Sequence, residues 1–202
     1  MKKKLTRIII FIIIIVISVI HAYGDWKESI YDTSIGSNSY GTVGEMYNNT
    51  VVTQEFQGRY NGFSGLSIRT ATFDRENHST LTYVIREKDT DKIVAEGTVD
   101  AAGLENNAFH TIAFDAIENS KNRKYILEIQ DNDAKSENGI TISFTEKGEN
   151  SEQLLVNGVE LEEQALVMKV VTTRFNVEDF IVFLGAILYI VLFIKLLNKF
   201  FK

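Results

Sequence analysis

The sequence has no cysteine and no proline, and its 202 residues include one tryptophan. Without cysteine there can be no disulfide, no thiolate metal site, no thiol nucleophile and no lipoprotein-type acylation of an N-terminal cysteine. Whatever folds here must hold by packing alone. At about 5% average usage roughly ten prolines would be expected, and their absence has no physical account. Acidic residues are missing from both ends: Met1 to Gly24 and Phe180 to Lys202 contain none, yet hold seven of the 21 Lys and Arg. That leaves 14 basic against 27 acidic residues in 25–179, a net charge of −13 where the whole chain shows −6.

The two ends are instead long hydrophobic runs. After Lys2, Lys3, Lys4 and Arg7, the segment Ile8 to Ile20 contains nothing more polar than Ser18, and nine of its thirteen residues are isoleucine. Thirteen residues suit the hydrophobic region of a signal peptide, and Ala22-Tyr23-Gly24 has the small-x-small pattern of a cleavage site. Extended from Leu5 to Tyr23, with lysines snorkelling, the same stretch suits an uncleaved membrane anchor. Both readings stand at this point. Phe180 to Ile194 is apolar throughout, and to Leu197 it makes a helix of roughly 27 Å, close to a bilayer core of about 30 Å. Lys195, Lys199 and Lys202 follow it, whereas Glu178 and Asp179 precede it, so the expected topology puts the C-terminus in the cytoplasm and residues 25–179 outside.

Between the ends the pattern is that of strands. Val51 to Gln57, Leu66 to Phe73, Thr80 to Glu87, Ile93 to Val99, Phe109 to Phe114, Tyr125 to Ile129, Ile140 to Phe144 and Ala165 to Thr173 are short β-rich runs, most with apolar residues at every second position. Val156-Asn157-Gly158-Val159 is a hairpin signal, since a type I′ turn needs positive φ at both central residues. A single helical turn is expected at Asp100 to Leu104. No long amphipathic helix intervenes, so the expected fold is all-β: an antiparallel, jelly-roll-like β-sandwich flanked by hydrophobic helices. The expected organisation is a signal peptide or anchor over 1–24, a partly ordered lead-in over 25–50 rich in Gly, Ser and Asn, a sandwich over 51–178, a membrane helix over 179–198 and a tail over 199–202.

Catalytic motifs are not found. Asn61-Gly62-Phe63-Ser64-Gly65 lacks the Gly-x-Ser-x-Gly spacing of a nucleophile elbow and reads as a turn. His21, His78 and His110 have no second histidine at metal-ligand spacing. Asp131, Asp133 and Glu137 form the densest oxygen-rich stretch and are the candidate ligands for a calcium ion, but Lys135 interrupts the EF-hand spacing, so an acidic hairpin loop is the plainer reading and no cofactor is expected. Sugar recognition uses exposed rings together with Asn, Asp and Arg side chains. Arg59, Tyr60, Asn61 and Phe63 are the candidates for such a platform, with Asn77 and His78 beside them. Trp26, close to the membrane, fits an interfacial anchor equally well. The −13 charge disfavours nucleic acid, whose affinity comes from cationic contacts.

Gln54-Glu55-Phe56, Gly65 to Phe73 with Asn77 after it, and Leu81-Thr82-Tyr83 resemble the start of a jelly-roll module of bacterial membrane proteins that assemble cell-surface polysaccharide. Phe114-Asp115, Tyr125 to Ile129, Gly139 to Ile142 and Val156-Asn157-Gly158 are similar in order and spacing to its remainder. The resemblance implies a membrane setting, a cell-envelope glycan or a membrane glycosyltransferase as partner, and no invariant catalytic set. The expectation is therefore a non-enzymatic, membrane-anchored sandwich. The alternatives are a structural subunit of a membrane complex with no ligand of its own, or a hydrolase acting on envelope polymers.

Overall fold

A computed structural model describes residues 2–201. Met1 and Lys202, which belong to the expected basic flanks, lie outside the described residues, as do the side chains of Lys2, Lys3 and Arg7. The chain runs from helix α1 (Lys2–Ala22) directly into strand β1 (Tyr23–Ser29), then β2 (Gly41–Thr42), β3 (Val51–Gln57), β4 (Phe63–Ala71), β5 (Thr80–Glu87) and β6 (Ile93–Asp100). Strands β7 (Ala108–Ile117), β8 (Lys124–Asp131), β9 (Thr141–Glu146), β10 (Ser151–Val156), β11 (Val159–Glu160), β12 (Gln164–Leu166) and β13 (Met168–Phe175) follow before helix α2 (Val177–Phe200). The fold is an all-β antiparallel sandwich flanked by N- and C-terminal helices. It divides into two compact units, Lys27–Thr172 on the one hand and Met1–Trp26 with Thr173–Lys202 on the other.

Within the larger unit two sheets face each other, ordered β11-β10-β3-β8-β5-β6 and β1-β13-β4-β9-β12, with β2 added to β9 and β7 to β4. The chain changes sheet at almost every loop, from β3 to β4, β4 to β5, β6 to β7, β7 to β8, β8 to β9 and β9 to β10. Alternate side chains point inward most cleanly in β8, where Tyr125, Leu127 and Ile129 are 1%, 0% and 5% exposed, whereas the central β4 is buried at nearly every position. At the centre Phe63 packs edge-on against Phe114 at 4.9 Å between ring centroids and against Phe56 at 5.7 Å, with Tyr125 tilted over it at 4.9 Å. Such ring pairs favour edge and offset geometries because the ring edge is positive and its face negative.

One polar side chain crosses this core. Gln54 of β3 is fully buried; its Nε2 donates to the Glu55 carbonyl at 2.8 Å and to Ser151 Oγ at 3.1 Å, while its Oε1 accepts from the Leu166 amide at 2.8 Å. Since β3 and β12 belong to opposite sheets, this amide fastens one layer to the other. The Asn157-Gly158 turn is of the expected kind, with φ of 52° and 79°, and pairs Val156 with Val159. The helical turn after Asp100 is a short 3-10 segment, Ala101–Gly103, capped by the Asp100 carboxylate accepting from the Ala102 amide at 3.0 Å.

Two expectations require correction. The segment 25–50 is no loose lead-in: its first part is β1, and Ile30, Tyr31 and Met46 are in the main core at 1%, 7% and 0% exposure. The expected strand Ala165 to Thr173 breaks at Val167 into β12 and β13. The physical reason is a change of partner: β12 pairs with β9, β13 with β4, and Val167 bonds to both, its amide to the Ser143 carbonyl and its carbonyl to the Arg69 amide.

In the smaller unit the two helices are long and apolar enough to cross a membrane, Lys4–Ala22 with 19 residues and Val177–Phe200 with 24. Helix α2 is capped by Asn176, whose Oδ1 accepts from the Asp179 amide at 3.2 Å, and Glu178 and Asp179 in its first turn complement the helix dipole.

Candidate functional site

Strand β4 decides which expected site residues can meet. Arg59, Tyr60 and Asn61 are in the loop before it, whereas Asn77 and His78 are in the loop after it. Its nine residues rise about 3.3 Å each, so roughly 30 Å of strand separates the two groups and they do not form one site. Phe63 is corrected outright: it is 0% exposed and forms the hub of the aromatic core, so it cannot stack on a ligand. Asn77 is likewise buried at 1%; its Nδ2 donates to the Thr72 carbonyl at 3.3 Å and its Oδ1 accepts from Arg75 Nε at 3.4 Å, which closes the β4–β5 loop. His78 is exposed beside Glu76, with 3.8 Å between Nε2 and Oε2.

The loop 58–62 is pinned by hydrogen bonds to the β7–β8 connection. Ser120 Oγ accepts from the Phe63 amide at 3.0 Å and donates to the Tyr60 carbonyl at 3.1 Å. Asn61 Oδ1 accepts from the Lys121 amide at 2.9 Å, so Asn61 is used as a loop clamp and not as a free ligand group. The Gly58 amide donates to the Arg123 carbonyl at 2.9 Å and the Gly58 carbonyl accepts from the Asn122 amide at 2.7 Å. Any Cβ at position 58 would be 2.4 Å from the Ser120 carbonyl oxygen, a contact only glycine avoids. Held this way, the Arg59 guanidinium stands 5.7 Å from the Tyr60 ring centroid and 4.0 Å from Glu149.

Arg59 opens onto a groove of about 760 Å³ whose other walls come from β1 and the segment after it and from the β9–β10 turn. Lys27, Tyr31, Asp32, Lys147 and Glu149 line it with Arg59. Backbone bonds bring these distant segments together: the Asp32 amide donates to the Glu146 carbonyl at 2.9 Å, and the Gly148 amide to that of Ile30 at 2.8 Å. Burial raises the pKa of the Tyr31 phenol, which keeps it protonated and able to donate. Hydrogen bonds from Ser34, first from its side chain and then from its backbone, lower that of Asp32 and keep it anionic. Tyr60 lines a smaller adjoining hollow with Gln57 and Asn150. Sequence reading missed Lys27, Tyr31, Asp32, Lys147 and Glu149, because β-bridge pairing of Tyr31 with Lys147 is the device that assembles them and it joins residues over a hundred positions apart.

The proposed calcium ligands also separate. Asp131 is 0% exposed and turned inward, accepting from Ser79 Oγ at 2.7 Å and from the Ala134 amide at 2.9 Å. Asp133 accepts from the Thr80 amide at 2.7 Å, and Glu137 is exposed. Among the described residues no cluster of three or more His, Cys, Asp or Glu is placed to hold a metal ion. The loop's carboxylates do local work: they replace the backbone partners that an irregular hairpin loses. In comparisons with known proteins, no family model matches this sequence and no curated protein matches it.

Proposed function

We propose that the protein is a non-enzymatic, membrane-anchored β-sandwich whose groove at Arg59 binds a cell-envelope glycan, on its own or for a membrane glycosyltransferase. The observation that carries this reading is the groove itself: it is lined by three cations, Lys27, Arg59 and Lys147, and three acids, Glu28, Asp32 and Glu149, with Tyr60 in the hollow adjoining it. Balanced charge offers no field for a polyanion, while a mixture of donors and acceptors matches the hydroxyls of a sugar. Tyr60 adds an apolar face for the pyranose ring, while Tyr31, buried in the core beneath, contributes its hydroxyl. The resemblance of residues 54–158 to a polysaccharide-assembly module agrees with this chemistry, and the basic flanks of both helices favour an extracytoplasmic sandwich.

Calorimetric titration of the full chain in detergent or nanodiscs against cell-envelope polysaccharides tests the proposal. Arg59→Ala should weaken binding about tenfold or more, in line with roughly 1.5–3 kcal/mol for a hydrogen bond to a charged group, and Tyr60→Ala should weaken it several-fold, in line with about 0.5–1.5 kcal/mol for an aromatic face. No affinity for any envelope polysaccharide, together with no co-purifying membrane enzyme, would sink it.

A further inference from the structure

The junction between α1 and α2 bears on a question the sequence leaves open, whether the N-terminal segment is removed. Ser18 and Ala22 are both 0% exposed, one helical turn apart on one face of α1, while Ile17 and Ile20 on other faces are 48% and 69% exposed. Ser18 Oγ donates to the Ile14 carbonyl at 2.8 Å, which leaves a small, internally satisfied surface for another helix to approach. On α2 the less exposed positions Phe183, Leu184, Ile187 and Val191 recur at helical spacing. The His21 ring stacks on Phe183 with 4.0 Å between centroids and an interplanar angle of 23°. Its Nε2 is 3.5 Å from Asp179 Oδ2, an atom shielded from solvent with no hydrogen-bond partner.

The polar connections on either side complete the joint. The Asn176 amide, from the residue that caps α2, donates to the Ala22 carbonyl at 2.8 Å, which satisfies one of the carbonyls left over where α1 ends. Thr173 Oγ1 donates to Asp25 at 2.6 Å just beyond the helices. The small-x-small stretch Ala22-Tyr23-Gly24 is thus not a free loop: its first residue is the buried end of a helix and the next two open β1.

We propose that α1 is a permanent transmembrane helix, not a removable leader, and that α2 is its partner in a two-helix hairpin locked by the His21–Asp179 contact and the Asn176–Ala22 bond. Both membrane ends are then retained, and the sandwich is tethered through two connections. Cleavage after Gly24 would strip Asp179 of the His21 ring beside it and Phe183 of its stacking partner, leaving the Asp179 side chain uncovered at the edge of the hydrocarbon. The proposal rests on the membrane reading above, and the test separates the two.

Membranes bearing the full chain are washed with carbonate, and the retained protein is analysed by intact mass. A retained chain that includes residues 1–24 is the expected result; a retained chain beginning at Asp25 overturns the proposal while leaving the membrane reading intact, and loss to the wash overturns the membrane reading and the proposal with it. Because the chain has no cysteine, thiols can be placed at will. In the His21→Cys/Asp179→Cys pair, oxidation should protect both thiols from a maleimide reagent, whereas in Ile20→Cys/Asp179→Cys they should stay reactive. Equal reactivity in the two pairs would overturn the hairpin even where α1 is present. If the paired variant does not accumulate, spin labels at Ser18→Cys and Ile187→Cys provide the second readout: a narrow short-distance distribution is expected, and a broad one overturns the pairing.

Discussion

Isoleucine behaves in opposite ways in the two units. In the sandwich Ile30, Ile85 and Ile140 are 1%, 0% and 0% exposed, whereas Ile20 of α1 and Ile181 of α2 are 69% and 62% exposed. Water would make the second arrangement costly, at about 25 cal/mol for each Å² of apolar surface left uncovered. In a bilayer the same surface has nothing to gain by being covered, since lipid tails are as apolar as the side chain. In the membrane setting proposed above, the helix pair cannot be held by the force that holds the sandwich. The hairpin proposed above would rely on close approach at Ser18 and Ala22 and on a few polar contacts at its end.

Truncating one large side chain in each unit would break the comparison most severely. Phe63→Ala removes the hub of the aromatic core and should destabilise the sandwich by about 3–5 kcal/mol, seen as a lower urea midpoint of the near-ultraviolet circular dichroism in detergent. Ile190→Ala on α2, where the side chain is 54% exposed, should leave that midpoint unchanged. A large shift from the second substitution would mean that the sandwich and the helices unfold as one cooperative body.

Smaller in effect is Gln54→Ala, which removes the amide that fastens the two sheets. The Leu166 N–H would be left buried without its acceptor, at a cost of about 1–3 kcal/mol by the same measurement. Tyr125→Phe has the opposite sign. The Tyr125 hydroxyl is buried with no hydrogen-bond partner, so deleting it should raise stability by about 1 kcal/mol. Lowered stability would show that the hydroxyl finds a partner in solution.

The sandwich was legible in the sequence to the degree that its strands alternate. β3 and β5 have the bounds that the pattern predicts, Val51–Gln57 and Thr80–Glu87, and Asn157-Gly158 forms the hairpin its backbone preference requires. Segment 25–50 was misread because Ile30 and Met46 are isolated apolar residues among Gly, Ser and Asn, with no period to announce that they are core. Phe63 was misread for a related reason: following Asn61-Gly62, it looks like part of a loop, yet β4 has already begun. Arg59 and Tyr60 do border the groove, but the residues facing them come from segments that meet only through long-range pairing, which a local pattern cannot encode.

The finest distinction between the units is electrostatic. Glu87, largely buried at the end of β5, accepts from Arg123 at 2.7 Å and from Thr90 at 2.9 Å, and these bonds hold its carboxyl pKa below the ordinary 4.5. Glu45 is also lowered: burial pushes it upward, but the Glu137 and Gly139 amides together with Arg75 outweigh that. A carboxyl whose folded pKa is depressed binds protons more readily when unfolded, so its contribution is complete above the unfolded pKa and is lost as pH falls through the folded one. Between pH 7 and about 5 the melting temperature of the sandwich should therefore be flat with respect to these groups, and below about 4.5 it should fall. The wider −13 charge acts in the opposite sense, because protonation relieves repulsion. Comparing Glu87→Gln with the unsubstituted chain cancels that background: the variant should be the less stable at pH 7, and the gap should close as the pH approaches 3. A gap independent of pH would mean that Glu87 contributes through packing, leaving its ion pair with Arg123 without net effect.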